Sequence, residues 1–141
     1  MWTTPKTDWS ARYDAAGGFL GDFINIADYN RIKNNLAYLL DLASEILIVP
    51  TVNLGNDKTY SDYPYADEWN LIENTLSDLC ALISVDFPAV TFYENGAYIG
   101  FAELNRIESM ELQLYGQITA AIAMRNRLAF TLATNRNTIK C

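Results

Sequence analysis

The feature that most limits how this chain can fold is a short phrase written three times. Tyr29-Asn30-Arg31-Ile32-Lys33 recurs as Trp69-Asn70-Leu71-Ile72-Glu73 and again as Leu104-Asn105-Arg106-Ile107-Glu108. An acidic residue follows Ala just upstream of each copy, in Ala27-Asp28, Ala66-Asp67 and Ala102-Glu103. The large apolar residue and the Ile share one face if the phrase is helical. Acidic residues belong at a helix N-terminus, where the macrodipole favours negative charge. Asn is a poor interior helix former. Its return at the same place implies a specific hydrogen bond, to the backbone of an incoming segment. The motif residues are therefore Asp28, Asn30, Ile32, Asp67, Asn70, Ile72, Glu103, Asn105 and Ile107, and their expected role is structural: fixing helix starts and packing. The copies are unequally spaced, which argues against a solenoid.

Apolar periodicity predicts a helix around each copy. Over 26–48, Tyr29, Ile32, Leu36, Leu39, Leu40, Ala43 and Leu47 recur at helical spacing. Asn25 is placed to cap this helix with Asp28 in the reciprocal position, and Pro50 stops it. A second helix is predicted over about 64–84, with Pro64 at its first position and Trp69, Ile72, Leu76, Leu79, Cys80 and Ile83 along its buried side. A third runs over about 101–133, with Leu104, Ile107, Met110, Leu114, Ile118, Ala121, Ile122, Leu128 and Leu132. Gly116 lies inside it, at a cost of about 1 kcal/mol relative to Ala, and suits a bend or a close crossing. Between the last two helices, Val90, Phe92 and Tyr93 precede Glu94-Asn95-Gly96, and Ala97, Tyr98 and Ile99 follow. Asn-Gly between β-formers predicts a small hairpin.

The expected fold is thus mainly α: a three-helix bundle with long connections and a small β-hairpin before the third helix. With 141 residues, half of them apolar, the chain reads as one domain with a real core. Its parts are an aromatic N-terminal arm (1–22), a helical core (23–133) and a polar C-terminal tail (134–141). At about 3.3 Å per residue either connection can span about 50 Å, whereas a 20-residue helix is about 30 Å long. Both roughly parallel helices, with the three Asn turns at one end, and an up-down bundle are open.

The arm places Trp2, Trp9 and Tyr13 among Pro5, Gly17, Gly18 and Gly21. Aromatics this frequent pack on the chain's own core or dock on a neighbouring subunit. The segment Tyr60-Ser61-Asp62-Tyr63-Pro64-Tyr65 either covers the bundle, meets another subunit or stacks on sugars. Trp2, Trp9, Tyr60, Tyr63 and Tyr65 are the candidate partner-binding residues.

Catalytic chemistry finds little support. The chain has no His, which removes the commonest general base and metal ligand. No Cys or His cluster of zinc type, Gly-rich phosphate loop or Ser nucleophile elbow is present. Carboxylate pairs for glycoside hydrolysis would have to come from Asp67, Glu68, Glu103, Glu108 and Glu111; Glu108 and Glu111 share a helical face of the kind common on solvated surfaces. No catalytic residue, metal or cofactor is expected. A net charge of -7 with ten scattered basic residues disfavours nucleic acid and anionic membranes. The N-terminus lacks a secretory pattern, and no apolar run is long enough for a membrane span. Cys80 falls on an apolar stripe, as a small hydrophobe does, and a reducing folding compartment is expected.

Phe23-Ile24-Asn25, leading into Ala27-Asp28-Tyr29-Asn30-Arg31-Ile32-Lys33-Asn34-Asn35-Leu36, resembles a segment of tail-module proteins from phages and prophages of Gram-positive bacteria. In these a phrase like Asp-Leu-Asn-Arg-Ile-Glu opens a helix. Trp2-Thr3-Thr4-Pro5-Lys6-Thr7-Asp8-Trp9 and Asp57-Lys58-Thr59-Tyr60-Ser61-Asp62-Tyr63 are similar to small proteins of the same kind. The central copy departs from the pattern, with Leu71 in the Arg position. The resemblance implies a non-enzymatic structural component of a virion, assembled in the bacterial cytoplasm and associated with the tail, baseplate or fibre. Its partners would be other phage structural proteins and further copies of itself. The alternatives are a carbohydrate- or receptor-binding module at the tail tip, taking a host glycan, and a bacterial cytoplasmic adaptor.

Overall fold

The computed structural model describes residues 1–96 and 98–138, with side chains described through Thr134. The described residues form three helices, α1 (Ile26–Ser44), α2 (Ala66–Leu82) and α3 (Phe101–Thr138). They start alike. Asn25, Tyr65 and Gly100 stand just before the helices, and their N–H groups donate to Asp28 (3.0 Å), Glu68 (2.8 Å) and Glu103 (3.1 Å). Each acid thus satisfies a backbone donor that the helix start leaves free. In the second copy the equivalent acid is Glu68, not Asp67; Asp67 accepts only the neighbouring Glu68 N–H, at 3.0 Å. Tyr65 is the N-cap of α2, so Pro64 precedes the cap and is not the first helical residue.

The helices are parallel. The rings of Tyr29 and Trp69, at the starts of α1 and α2, meet edge to face at 5.1 Å. Arg31 of α1 pairs with Glu108 of α3 at 2.8 Å. At the other end Arg125 of α3 donates to the Glu45 carbonyl that closes α1. Counted from the Asn of each phrase, equivalent core positions follow the alternating three- and four-residue spacing of coiled-coil seams. They are Tyr29, Trp69 and Leu104; Ile32, Ile72 and Ile107; Leu36, Leu76 and Glu111; then Leu39, Leu79 and Leu114, all buried.

Parallel helices oblige the chain to return from the end of each helix to the start of the next. Segments 45–65 and 83–100 make this return, and the arm 1–25 lies similarly against α1 and α3. The repeated asparagines hold all three. The Asn30 amide donates to the Lys58 carbonyl (2.9 Å) while its oxygen accepts the Lys58 N–H (2.8 Å). Asn70 does the same to Phe92 (2.9 and 2.7 Å), and Asn105 to Trp9 (2.9 and 2.8 Å). Each helix therefore clamps the segment that leads into another helix: α1 holds the approach to α2, α2 the approach to α3, and α3 the approach to α1. The set closes on itself as a pseudo-threefold ring.

The hairpin expected over 89–99 does not form. No strand occurs among the described residues there, and Ala97 lies outside them. Asn95 adopts φ 57° and the Gly96 N–H reaches the Tyr93 carbonyl at 3.0 Å, so the Asn-Gly turn is real. The N–H and C=O of Phe92, which a strand partner would need, are committed to Asn70 instead. Among the described residues, the one bridge between extended segments joins Tyr13 and Phe19. A Cβ on Gly116 would meet nothing within 4 Å, so no close crossing occurs there. Helix α3 continues to Thr138, through the start of the expected tail; Ile139, Lys140 and Cys141 lie outside the described residues.

Removing a clamp strands two backbone groups of a part-buried segment, at about 1–3 kcal/mol each. Asn105→Ala is expected to lower the unfolding free energy by about 2–4 kcal/mol, measured by urea denaturation. Asn105→Asp, nearly isosteric but unable to donate when ionised, should also destabilise. An unchanged midpoint in both variants would show that the clamp does not support the fold.

Candidate functional site

The helix-start end is a polar layer wrapped in aromatics. One residue past each clamping Asn stands Arg31, Leu71 or Arg106, and three past it stands Lys33, Glu73 or Glu108. Arg31 reaches across to Glu108, and Arg106 to Glu73. The third interface has neither charge: Leu71 replaces the Arg, and Lys33 replaces the Glu. Lys33 turns instead to the Gly55 carbonyl (3.0 Å) and Asp57 (2.7 Å). The substitutions match, because an Arg at 71 would have faced a Lys.

The side chain three past each Asn also serves a returning segment. Glu108 accepts the Lys6 N–H (2.6 Å) and the Trp9 indole N–H (2.8 Å), Glu73 accepts the Val90 N–H (3.3 Å), and Lys33 donates to Gly55. Sequence reading placed Glu108 and Glu111 on a solvated face. Both are fully buried. Glu108 is consumed by Arg31, Trp9 and Lys6, so it is a structural group. Glu111 occupies the core position held by Leu36 and Leu76 in the other helices, and neither of its oxygens has a hydrogen-bond partner. Burial, reinforced by the Glu108 charge, pushes its carboxyl well above the usual range; the Asn35 amide and the Arg31 charge oppose this only in part. Glu111 therefore keeps its proton to higher pH than an ordinary carboxyl.

Trp9 is buried against the same layer. Its ring stacks with Phe101 at 6.2 Å, with Lys6 and Arg31 cations at 5.3 and 5.9 Å from its centre. Trp2 stacks on Tyr115 at 4.4 Å. Between them a fourth clamp, absent from the repeated phrase, joins Asn35 to the N–H and C=O of Thr3 (2.9 and 2.7 Å). Both tryptophans thus pack on their own chain. Cys80 is buried, and its thiol is pushed up to about 11 by that burial.

The tyrosine loop goes the other way. Tyr60 is 96% exposed, Tyr63 75% and Tyr65 67%. Tyr65 has the Lys58 ammonium 6.0 Å above its ring, and Lys58 pairs with Glu68. In the arm, the exposed rings of Tyr13 and Phe23 meet the half-buried Phe19 edge to face at 5.4 and 4.9 Å.

The largest unpartnered element is the far end of α3. The helix has 38 residues against 19 in α1 and 17 in α2. Past Arg125 it has left both partners behind, and residues 126–138 project by about 20 Å at 1.5 Å per residue. Leu128, Phe130 and Leu132 on this stretch, and Met124 just before it, are each more than 60% exposed. Sequence periodicity counted Leu128 and Leu132 as core, because their spacing continues the seam. The charge distribution is also lopsided: beyond Glu111 the sequence holds four basic residues and no acidic one.

Among the described residues, no group of three His, Cys, Asp or Glu could hold a metal ion, and no helix is long and apolar enough to cross a membrane. Comparison with protein families, curated proteins and solved structures found no match.

The buried acid gives the chain a pH signature. Between the unfolded carboxyl value, near 4.3, and the raised folded value, the folded chain keeps a proton that the unfolded chain has lost. Its contribution is therefore largest below about pH 4.3 and falls as pH rises through that value. Relative to Glu111→Gln, the wild type should lose stability as pH rises above about 4.3. Glu111→Leu, which restores the apolar layer, should be more stable at pH 7 by about 1–3 kcal/mol. Urea midpoints that track each other across pH in wild type and Gln variant would refute the assignment.

Proposed function

We propose that the chain is a non-enzymatic structural subunit of a bacteriophage particle, associated with tail, baseplate or fibre, that acts by protein–protein assembly. The observation that carries this reading is the unpartnered end of α3. A helix with Met124, Leu128, Phe130 and Leu132 in water loses the burial that stabilises most helices in proteins, and contiguous exposed apolar surface marks an interaction site. The resemblance of the Asn25–Leu36 and Trp2–Trp9 segments to phage tail-module proteins supplies the setting. The polar groups of the helix-start end support it further, because they are spent on holding the chain's own arms.

Mass spectrometry of purified particles from the phage or prophage that encodes the chain should find it as a stoichiometric component. A Leu128→Asp/Leu132→Asp double variant should be lost from the particles while melting at the wild-type temperature. Its absence from wild-type particles would refute the reading.

The exposed tyrosine loop favours a second reading, a receptor- or glycan-binding module at the tail tip. Aromatic faces in water stack on sugars, and Tyr60, Tyr63 and Tyr65 lie within one short segment. In that case Tyr63→Ala abolishes binding to host surface polysaccharide without lowering the melting temperature. Equal binding by wild type and variant removes this reading.

A further inference from the structure

The free end of α3 and the far end of the bundle are complementary surfaces of one molecule. We infer that two copies of the chain join tail to tail, each α3 end lying antiparallel to the other with its tip on the partner's bundle end. The inference rests on the assembly reading and names its first partner as a second copy.

Continuity of the seam gives the first argument. Leu114 and Ile118 are buried against α1 and α2. Ala121, Leu128 and Leu132 continue the same spacing past Ser44 and Leu82, where those helices stop. The seam runs on with its neighbours missing, so the occupant it fits is another apolar-striped helix.

Charge selects which helix and which direction. All 17 acidic residues precede the free end, together with seven of the ten basic ones. The free end itself has basic residues alone. Helices α1 and α2 finish with no basic residue in their last turns. Exposed Asp41, Glu45 and Asp78 stand there at helix C-termini, which carry partial negative charge. Apolar surface is available at the same end, with Ile48 95% and Leu82 42% exposed. Arg125 already makes such a contact within the chain, on the Glu45 carbonyl; Arg127, two residues further along, is free to meet the equivalent groups of a second copy. An antiparallel arrangement sets each basic tip on an acidic end and holds the two acidic bodies apart. A parallel arrangement would set Arg125 beside Arg125 and press the bodies together. The antiparallel pair is closed by a twofold axis, so neither copy is left with an open surface of this kind.

The test uses the full chain. Sedimentation equilibrium should give a dimer whose dissociation constant rises about tenfold or more between about 0.1 and 1 M NaCl, as screening removes the charge contribution. Leu128→Asp/Leu132→Asp should sediment as a monomer with an unchanged circular-dichroism melt. Direction is read by cysteine pairing in a Cys141→Ser background. Copies carrying Leu132→Cys, mixed with copies carrying Ile48→Cys, should form a mixed disulfide, and Leu132→Cys copies alone should not. A monomer at high concentration, a trimer, or a Leu132→Cys pair would overturn the inference. So would a monomer that binds anionic phosphatidylserine vesicles through its free end. A monomeric chain still found in purified particles would sink the dimer and leave the assembly reading standing. A dimer absent from particles would do the reverse.

Discussion

An extended chain laid against a helix carries N–H and C=O groups that the helix cannot satisfy, because the helix backbone has spent its own. A sheet solves this with a neighbouring strand. Here a carboxamide does: one Asn side chain offers a donor and an acceptor at the spacing of a peptide group, and so stands in for a strand neighbour at Lys58, Phe92, Trp9 and Thr3. Everything else follows from that pairing. Without it, the long returns that parallel helices demand would lie on the bundle with stranded polar groups, and a bundle of short connections running up and down would be favoured.

The ring of clamps also explains which charges are buried. Side chains three past each Asn lie under the returning segments, where they are shielded from water. Glu73 and Glu108 are tolerated there because each faces an Arg from the next helix and a backbone N–H from the segment above. Where the Arg is lost at Leu71, a carboxylate would have no counter-charge, and Lys33 stands in its place with Asp57 as partner. Glu111 has no such compensation. It remains as an acid in a leucine layer, beside the Arg31–Glu108 pair, and burial there favours its neutral form.

The bundle is closed at one end and open at the other. Aromatic packing of Trp9 and Phe101 covers the start of the helices, while α3 leaves the far end with an apolar stripe and a basic balance. The large exposed apolar surfaces include the free end of α3, the tyrosines ahead of α2 and the Tyr13 and Phe23 rings of the arm.

Sequence alone determined the three helices, their starts and the role of the repeated Asn, because helix periodicity and capping are local and an Asn in a poor place needs a local reason. It also placed Cys80 and the seam from Tyr29 to Ala43 inside. Only the tertiary structure decided which segment each Asn holds, since the partners of Asn30, Asn70 and Asn105 are Lys58, Phe92 and Trp9, far apart in the chain and unlike one another. It decided that Asn35 clamps Thr3, that the Asn-Gly turn carries no hairpin, and that Glu68 and not Asp67 caps α2. It buried Glu108 and Glu111 and exposed Leu128 and Leu132, against the pattern in both cases. Periodicity says which face a residue is on; whether that face is covered depends on where the neighbouring helices end.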